Sequence, residues 1–279
     1  MSTMMDIKRL REWIGRSETE EEVLSTRIAT QFAATLDLPG EWTEGAEAPP
    51  MIHWCLAQGR EPTRALADDG HPPRGGFLPP VTLPRRMWAG GELSFVAPLR
   101  VGSMVERRST VVDVVAKEGR SGPLCFVTVE HVYRCDGVEA LTERQDIVYR
   151  EAASTHKPSQ EQKALEGREN RSITPSRALL FRYSAVTFNA HRIHYDIAYA
   201  REDEGYPGLV VHGPLQATLL CQYARTLSGK PPRRFAFRSH SPIFDTSDFT
   251  LNATQEGEEM QLWTAQANGP RAMVATATW

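Results

Sequence analysis

An apolar helix in the second half of the chain constrains the fold more than any other sequence feature. Gly213 and Pro214 begin this helix, because proline is favoured in the first turn, and Gly229 ends it. Its apolar side chains recur every four residues along one face: Leu215, Leu219, Tyr223 and Leu227. We predict an antiparallel sheet wrapped around it, since strand patterns follow at residues 235–244, 249–254, 260–267 and 272–279.

The first half of the chain has the same order of elements. Ser17 and Glu20 fit a capping box, which predicts a helix over residues 19–36. Residues 68–95 contain too many prolines for a helix or a central strand, and their apolar side chains predict an ordered surface loop rather than a flexible linker. Three strands are then predicted, two of them joined by an Asp-Gly hairpin turn, at residues 105–116, 124–133 and 140–149.

This repeated order predicts two copies of one α+β unit. The first unit occupies residues 1–150 and the second occupies residues 176–279. Residues 151–175 are rich in Lys, Glu, Gln, Ser and Arg and have few apolar anchors, so they are predicted to be a linker or a solvated helix.

Polar residues are concentrated in the second unit, where a strand is predicted over residues 179–188 and a short helix from Tyr195. His194 lies at this junction and can take or give a proton near neutral pH. Asn189 can hold a water or a carbonyl group by hydrogen bonds. The free N–H groups at the start of the helix at Gly213 can polarise a carbonyl oxygen. Together these groups meet the requirements for adding water to an α,β-unsaturated thioester.

Each of these residues also has a structural interpretation. A lone histidine at a strand end is more often structural than catalytic. His191 and His194 could form a zinc pair, but no third ligand follows at a useful spacing, so we predict no metal site. Tyr183 is predicted to pack, although it also lies at the predicted site. Arg192 is either solvated or faces a carboxylate or phosphate.

Charge and cysteine content exclude several classes of protein. The net charge of −3 argues against a general nucleic-acid binder. No stretch approaches a transmembrane run, and the first residues lack the apolar core of a secretory signal, so we expect a cytoplasmic protein without a membrane partner. The four cysteines have neither metal-site nor CxxC spacing and are expected to be reduced: Cys55, Cys125, Cys135 and Cys221.

The polar segment resembles the hydratase motif of the MaoC-like, or (R)-specific enoyl-CoA hydratase, superfamily, which runs Asp-x-Asn-Pro-x-His-x-Asp-x-x-x-Ala. Asn189 stands where the superfamily has its catalytic Asp, and His191-Arg192 replaces Asn-Pro. This variant is similar to the type 2 hydroxyacyl-thioester dehydratases. The loop at residues 70–91 resembles more narrowly the mesaconyl-CoA and itaconyl-CoA hydratases. The matching positions are His194, Asp196, Ala200 and the later pair His212-Gly213.

The resemblance implies a double hotdog fold, with the active site in the C-terminal half and an N-terminal half that lacks catalytic residues and shapes the acyl pocket. It implies hydration of itaconyl-CoA or mesaconyl-CoA to citramalyl-CoA, with CoA as part of the substrate and no other cofactor. A homodimer is one option, although a double hotdog can complete its sheet within one chain. The alternatives are a (3R)-hydroxyacyl-thioester dehydratase of fatty-acid synthesis, a hotdog thioesterase and a non-catalytic acyl-CoA-binding protein.

The implied roles follow the motif. His194 is expected to be the general base, Asn189 to orient the water or the substrate, and the Gly213 N–H to stabilise the enolate oxygen of the thioester. A dicarboxylic acyl group needs a cation, and His191 and Arg192 are the nearest candidates in sequence. Besides these two residues, His212 and Tyr183 are also expected to bind substrate.

Overall fold

The computed structural model describes residues 5–119, 122–151 and 162–279. Its strands are β1 (Ser17–Val23), β2 (Arg85–Phe95), β3 (Met104–Gly119), β4 (Gly122–Cys135), β5 (Val138–Arg150), β6 (Glu169–Ile173), β7 (Arg234–Ser239), β8 (Phe249–Glu256), β9 (Glu259–Gln266) and β10 (Met273–Thr278). Its α-helices are α1 (Ile7–Arg11), α2 (Thr26–Thr35), α3 (Arg177–Val186), α4 (Ile197–Glu202) and α5 (Gly213–Ser228).

The ten strands form one antiparallel sheet in the order β1-β3-β4-β5-β2-β7-β10-β9-β8-β6. Each half of the chain supplies five neighbouring strands, and β2 pairs with β7 where the halves meet. Gly90 lies at this seam, where a Cβ would stand 2.5 Å from the carbonyl oxygen of Phe237. The two predicted sheets are therefore joined edge to edge as one continuous sheet.

Helix α5 is the centre of the second half, as predicted. Ten consecutive residues from Leu215 to Ala224 are buried, so the helix is covered on every side rather than along one stripe. Gly229 follows it with φ 76°, the left-handed conformation that glycine adopts at the end of a helix. The prediction of an apolar helix from Gly213 to Gly229 is confirmed.

The predicted helix over residues 19–36 is wrong in its first third, while its end is confirmed, since helix α2 ends at Thr35 with Leu36 as its C-cap. Ser17–Val23 is the edge strand β1, in which Glu20 lies opposite Arg107 of β3. Such cross-strand pairs of opposite charge favour a strand for this acidic run. Helix α2 begins only at Thr26, where the Ser25 hydroxyl accepts a hydrogen bond from the Ile28 N–H.

The predicted strand over residues 179–188 is helix α3. Ser176 caps this helix by accepting a hydrogen bond from the Leu179 N–H. The buried residues Leu180, Tyr183 and Ser184 are three and four positions apart, which is the period of a helix. The strand prediction is wrong because a short apolar run does not by itself distinguish a strand from a helix.

The remaining predictions are confirmed with small shifts. Strands β3 to β5 and β8 to β10 occupy the predicted segments, whereas β7 ends at Ser239, five residues before the predicted end. Asp136-Gly137 has the two positive φ values of a tight hairpin turn. Residues 68–84 form an irregular segment, but β2 replaces the rest of the predicted loop. The predicted linker contains β6, and its residues 152–161 lie outside the described part of the chain.

Two further expectations concern composition. All four cysteines are free thiols. Within residues 5–119, 122–151 and 162–279, none of the helices combines the length and the apolar character that crossing a bilayer requires.

Candidate active site

A cavity of about 1060 Å³ is lined by side chains from both halves of the chain. Asn189, His191, His194 and Gly213 line it from the C-terminal half. The N-terminal half contributes the irregular segment before β2 and the inner face of β2 to β5. The predicted catalytic residues therefore share one cavity, but the N-terminal half forms much of its polar wall.

His194 ends a 3-10 turn, Arg192–His194, and only 6% of its surface is exposed. Its Nδ1 lies 2.7 Å from the carbonyl oxygen of Val210, so Nδ1 carries the proton and donates it to this bond. The Nε2 atom is left with a lone pair. Burial lowers the pKa of His194 to about 4, which keeps the ring neutral at neutral pH. The ring is thus prepared as a base.

His194 belongs to a row of four imidazole rings. Ring centroids are 4.1 Å apart between His71 and His191, 5.3 Å between His191 and His194, and 3.7 Å between His194 and His212, where the rings stack. Burial is the largest cause that lowers the pKa of each ring. Four neutral rings can pack this closely because none adds a charge to the cavity.

His212, the innermost ring of this row, and Tyr183 were both expected to bind substrate. His212 is fully buried under His194, and its Nε2 lies 2.8 Å from the Ser184 hydroxyl. Tyr183 is 1% exposed, and its hydroxyl is 3.1 Å from that of Thr218. Tyr183 touches the cavity wall, but its one polar atom is already hydrogen-bonded. The structure thus gives both residues a supporting position rather than a binding one.

Asn189 is placed by the end of helix α3. Phe188 adopts φ 51°, and the Asn189 N–H donates 2.8 Å back to the carbonyl oxygen of Ser184, which closes the helix. A bulky residue in the left-handed region is strained, and such strain is common where a functional side chain must be aimed. The Asn189 Oδ1 accepts the His191 N–H at 3.0 Å. Its amide N–H group is left to donate into the cavity.

Gly213 opens helix α5 at the cavity wall. Its N–H makes no hydrogen bond to any of the described residues, as expected for the first position of a helix. A Cβ at Gly213 would meet nothing closer than the Ser239 hydroxyl at 3.7 Å, so the glycine leaves space beside the free donor. An oxyanion can use both this donor and the positive end of the helix dipole.

Arg192 is not a free cation, contrary to the expectation for a carboxylate ligand. Its Nε and Nη2 atoms donate to the Asp196 carboxylate at 3.1 and 2.8 Å, and Nη1 donates to the carbonyl oxygen of Asp68 at 3.0 Å. The guanidinium also lies over the ring of Tyr199. His191 is no cation either, because burial and its imidazole neighbours lower its pKa.

Arg192 instead fastens an N-terminal segment onto the hydratase motif. Its backbone N–H donates to the carbonyl oxygen of Asp69 at 3.0 Å. Gly70 packs so tightly that a Cβ there would overlap the carbonyl oxygen of Ala190. This docking brings Asp69 and His71 to the cavity. By local pattern the Asp-Gly-His run predicts no more than a surface loop, and the family resemblance of residues 70–91 assigned no role to His71.

Asp69, His71 and His191 offer ligand atoms within 4.8 Å of one another, so a metal site has to be considered. The Asp69 Oδ2 and His71 Nδ1 atoms are 2.9 Å apart. Two ligands of a tetrahedral zinc ion with bonds of about 2.0–2.1 Å would be about 3.3 Å apart. The shorter separation fits a hydrogen bond between carboxylate and imidazole, and we assign it so.

A second buried polar group lies on the N-terminal sheet and was not predicted. Glu143 is 1% exposed and accepts hydrogen bonds from the Trp54 indole at 3.0 and 3.1 Å. His53 approaches the same carboxylate at 3.4 Å. Burial acts to raise the pKa of Glu143, but the hydrogen bonds and neighbouring histidines leave it below its usual value. This carboxylate is therefore charged and internally paired.

Comparison with known proteins supports the resemblance. The family model for hydroxyacyl-thioester dehydratase type 2 matches residues 51–245. A mesaconyl-C(4)-CoA hydratase from Chloroflexus aurantiacus is 45% identical over 95% of this chain and 95% of its own length.

Solved structures support the fold. A MaoC-like dehydratase from Phytophthora capsici has a TM-score of 0.71 at 13% identity and covers 98% of both chains. A Mycobacterium tuberculosis protein described as a double hotdog has a TM-score of 0.57 at 11% identity, over 95% of both chains. The expected double hotdog fold is confirmed.

Proposed function

Because this chain belongs to the hydroxyacyl-thioester dehydratase type 2 family, a hydro-lyase family acting on acyl thioesters, we propose that it hydrates mesaconyl-CoA or itaconyl-CoA to citramalyl-CoA. The observation that carries the substrate class is the 45% identity, over 95% of both chains, to a mesaconyl-C(4)-CoA hydratase. CoA is part of this substrate, and no further cofactor takes part in the scheme.

His194 is the general base in this proposal. The Val210 carbonyl holds its Nδ1–H, so Nε2 faces the reaction and removes a proton from water. With mesaconyl-CoA, the water oxygen then bonds to the β-carbon of the α,β-unsaturated thioester, and this addition gives the tertiary alcohol of citramalyl-CoA. Asn189 donates from its amide to hold either this water or the substrate, since an amide has no useful basicity of its own.

The thioester oxygen gains negative charge as the water adds. The Gly213 N–H, which has no acceptor among the described residues, donates to this oxygen in the enolate. Such a donor stabilises the transition state more than the ground state, because the charge on the oxygen grows during the reaction. The helix α5 dipole acts in the same direction.

The free carboxylate of a C5 dicarboxylic acyl group needs a cation, and we take Arg86 as the candidate. It lines the cavity and has no acidic partner among the described side chains, whereas its neighbour Arg85 pairs with Glu204. Its charge lowers the pKa of His71, which also lines the cavity and contacts the ring of His191. The N-terminal half therefore shapes the acyl pocket with charge as well as with apolar walls.

The main rival is a dehydratase of (3R)-hydroxyacyl thioesters in fatty-acid synthesis, which shares the motif. A long saturated acyl chain would gain nothing from the charged groups that line the cavity, such as Arg86 and Arg150, whereas a dicarboxylic acyl group would. A thioesterase is the other enzymatic rival. It would release free thiol without forming a hydroxyl group.

A panel of enoyl-CoA esters tests the proposal by the loss of the conjugated-thioester absorbance. We expect kcat/KM for mesaconyl-CoA to exceed that for crotonyl-CoA by about 100-fold, as charge recognition allows. Arg86→Met should remove most of this preference and leave crotonyl-CoA hydration within about threefold. A preference for long-chain substrates, or release of free thiol, would contradict the assignment.

A further inference from the structure

Hydration also needs a proton for the α-carbon, and Asn189 cannot provide it. We propose that His71, held by Asp69, is the group that exchanges this proton with the α-carbon. The proposal rests on the hydration described above. It places one catalytic pair on the N-terminal half, which was expected to lack catalytic residues, and so makes the site shared between the halves.

The Asp69–His71 pair is built as an oriented base. The Asp69 Oδ2 lies 2.9 Å from His71 Nδ1, and Asp69 Oδ1 accepts the backbone N–H of His71, also at 2.9 Å. The carboxylate therefore fixes the proton on Nδ1 and leaves a lone pair on Nε2, as in an Asp–His pair of a hydrolase. The His71 side chain is 21% exposed and lines the cavity.

The segment that carries the pair is locked to the reaction site. Gly70 fits against the Ala190 carbonyl only because it lacks a Cβ. Arg192 holds the same segment through the carbonyl oxygens of Asp68 and Asp69. The His71 ring then contacts His191, whose ring contacts His194. A loop fastened at three points positions a reactive group as firmly as a strand does.

The surrounding charges suit a group that is neutral at rest and protonated briefly. Burial lowers the pKa of His71, the Asp69 carboxylate opposes this, and Arg86 and Arg74 add to the lowering. Burial acts to raise the pKa of Asp69, but its hydrogen bonds to His71 outweigh this and keep the carboxylate ionised. An ionised carboxylate stabilises the imidazolium when it forms.

The proton balance closes within the site. In dehydration, His71 Nε2 takes a proton from the α-carbon, the C–H electrons form the enolate and then the C=C bond, and the hydroxyl leaves with a proton from His194. In hydration the same steps run backwards: water gives its proton to His194, its oxygen bonds to the β-carbon, and the His71 imidazolium protonates the α-carbon. Between turnovers His194 returns its proton to solvent and His71 takes one from solvent, so that both rings are neutral at rest and the proton count balances.

Isotope exchange separates the two histidines. Citramalyl-CoA is incubated in D₂O with the full-length enzyme, and α-deuterium uptake and loss of water are followed separately by mass spectrometry. We expect His71→Gln to lower both rates by about 10²–10⁴-fold, the range for a lost general base, with an unchanged melting temperature. His194→Ala should lose water elimination but keep α-exchange within about tenfold.

Matched variants separate proton transfer by His71 from a purely structural role. His240→Gln, a change at a cavity-lining histidine without an acidic partner among the described residues, should leave both rates within about threefold of wild type. Asp69→Asn should act like His71→Gln but more weakly, because the amide weakens the hold on Nδ1–H. Exogenous imidazole should partly rescue His71→Ala, which a purely structural role would not allow.

Three results would overturn the assignment. If His71→Gln keeps α-exchange while His194→Ala loses it, His194 handles both protons. If a chelator removes wild-type activity and zinc restores it, the cluster is a metal site. If wild type hydrates none of the enoyl-CoA panel and does not dehydrate citramalyl-CoA, the proposed function fails, and the role of His71 with it.

Discussion

The two halves of the molecule share one plan but divide length differently between sheet and helix. Strands β3, β4 and β5 of the first half have 16, 14 and 13 residues, and its helix α2 has 10. Strands β7 to β10 have 6 to 8 residues, and their helix α5 has 16. The long helix fills the core of the second half and presents its free N–H to the cavity. The long strands of the first half contribute side chains to the cavity wall.

The halves also treat their buried polar groups differently. In the first half, Glu143 uses its oxygens on Trp54 and His53, so its burial is compensated inside the protein. In the second half, His194 and Gly213 each keep one functional atom without a partner among the described residues. A satisfied group stabilises the fold and an unsatisfied one is available to a substrate. This contrast predicts which substitutions alter activity and which alter stability.

The largest effect is expected from His194→Ala. Removal of a general base should lower kcat for hydration by about 10³–10⁴-fold, because the remaining groups can bind and polarise the thioester but cannot activate water. The melting temperature should change little or rise, since a desolvated ring is removed. Steady-state kinetics and circular dichroism measure both. If His194→Ala keeps activity within a few-fold of wild type, the unpaired atom of His194 does not serve the reaction and the contrast between the halves fails.

Asn189→Ala should cost less, about 100-fold in kcat, the magnitude of a lost positioning or polar contact. Asn189→Ser is a useful comparison, since a hydroxyl can donate one hydrogen bond in place of the amide. We expect it to recover part of the loss. If KM rises with kcat unchanged, Asn189 binds the ground state and the transition state equally and does not hold the water in the transition state.

Glu143→Gln should have the opposite effect, a loss of stability with activity retained. The amide keeps the shape and still accepts from Trp54, but the loss of a charged hydrogen bond should lower the free energy of unfolding by about 2 kcal/mol. Hydration should remain within about threefold of wild type. Glu130→Gln, at an exposed position of β4, is the matched control and should change neither quantity. A large loss of kcat at unchanged stability would show that Glu143 serves the reaction.

The sequence indicated the second half better than the first, for physical reasons. Helix α5 is long and has a clear apolar period, and its N-terminal His-Gly-Pro is a strong start signal, so Gly213 could be located. Asn189 and His194 lie five residues apart, so their shared cavity followed from local chain geometry. The Asp69–His71 pair meets His191 only through packing across some 120 residues, which no local pattern encodes.

Two errors have the same origin. The acidic run of β1 obeys local capping rules, but its pairing with the arginines of β3 decides its conformation. Arg192 was expected to face a substrate because it neighbours the catalytic motif. Its guanidinium pairs with Asp196 four residues further on, and its other donors bind the carbonyl oxygens of Asp68 and Asp69 in the other half, so Arg192 fastens the halves together. Contacts with residues distant in sequence contribute at both positions.

The smallest effects concern the dependence of stability on pH. His194, with its pKa lowered to about 4, and His131, with its pKa lowered chiefly by burial, stay neutral in the folded chain below pH 6.5. The unfolded chain binds those protons from about pH 6.5 downward. Stability is therefore fully present above pH 6.5 and falls as the pH is lowered toward 4, by up to about 1.4 kcal/mol per pH unit for each such ring.

Single substitutions in the two halves test whether each buried neutral ring contributes separately to the loss of stability in acid. His131→Asn in the first half and His212→Asn in the second should each reduce the difference in unfolding free energy between pH 7 and pH 5 by about one ring's share. Chemical denaturation at both pH values measures it. If only His212→Asn flattens the pH profile of the unfolding free energy, then the row of imidazoles limits stability in acid and His131 contributes nothing measurable.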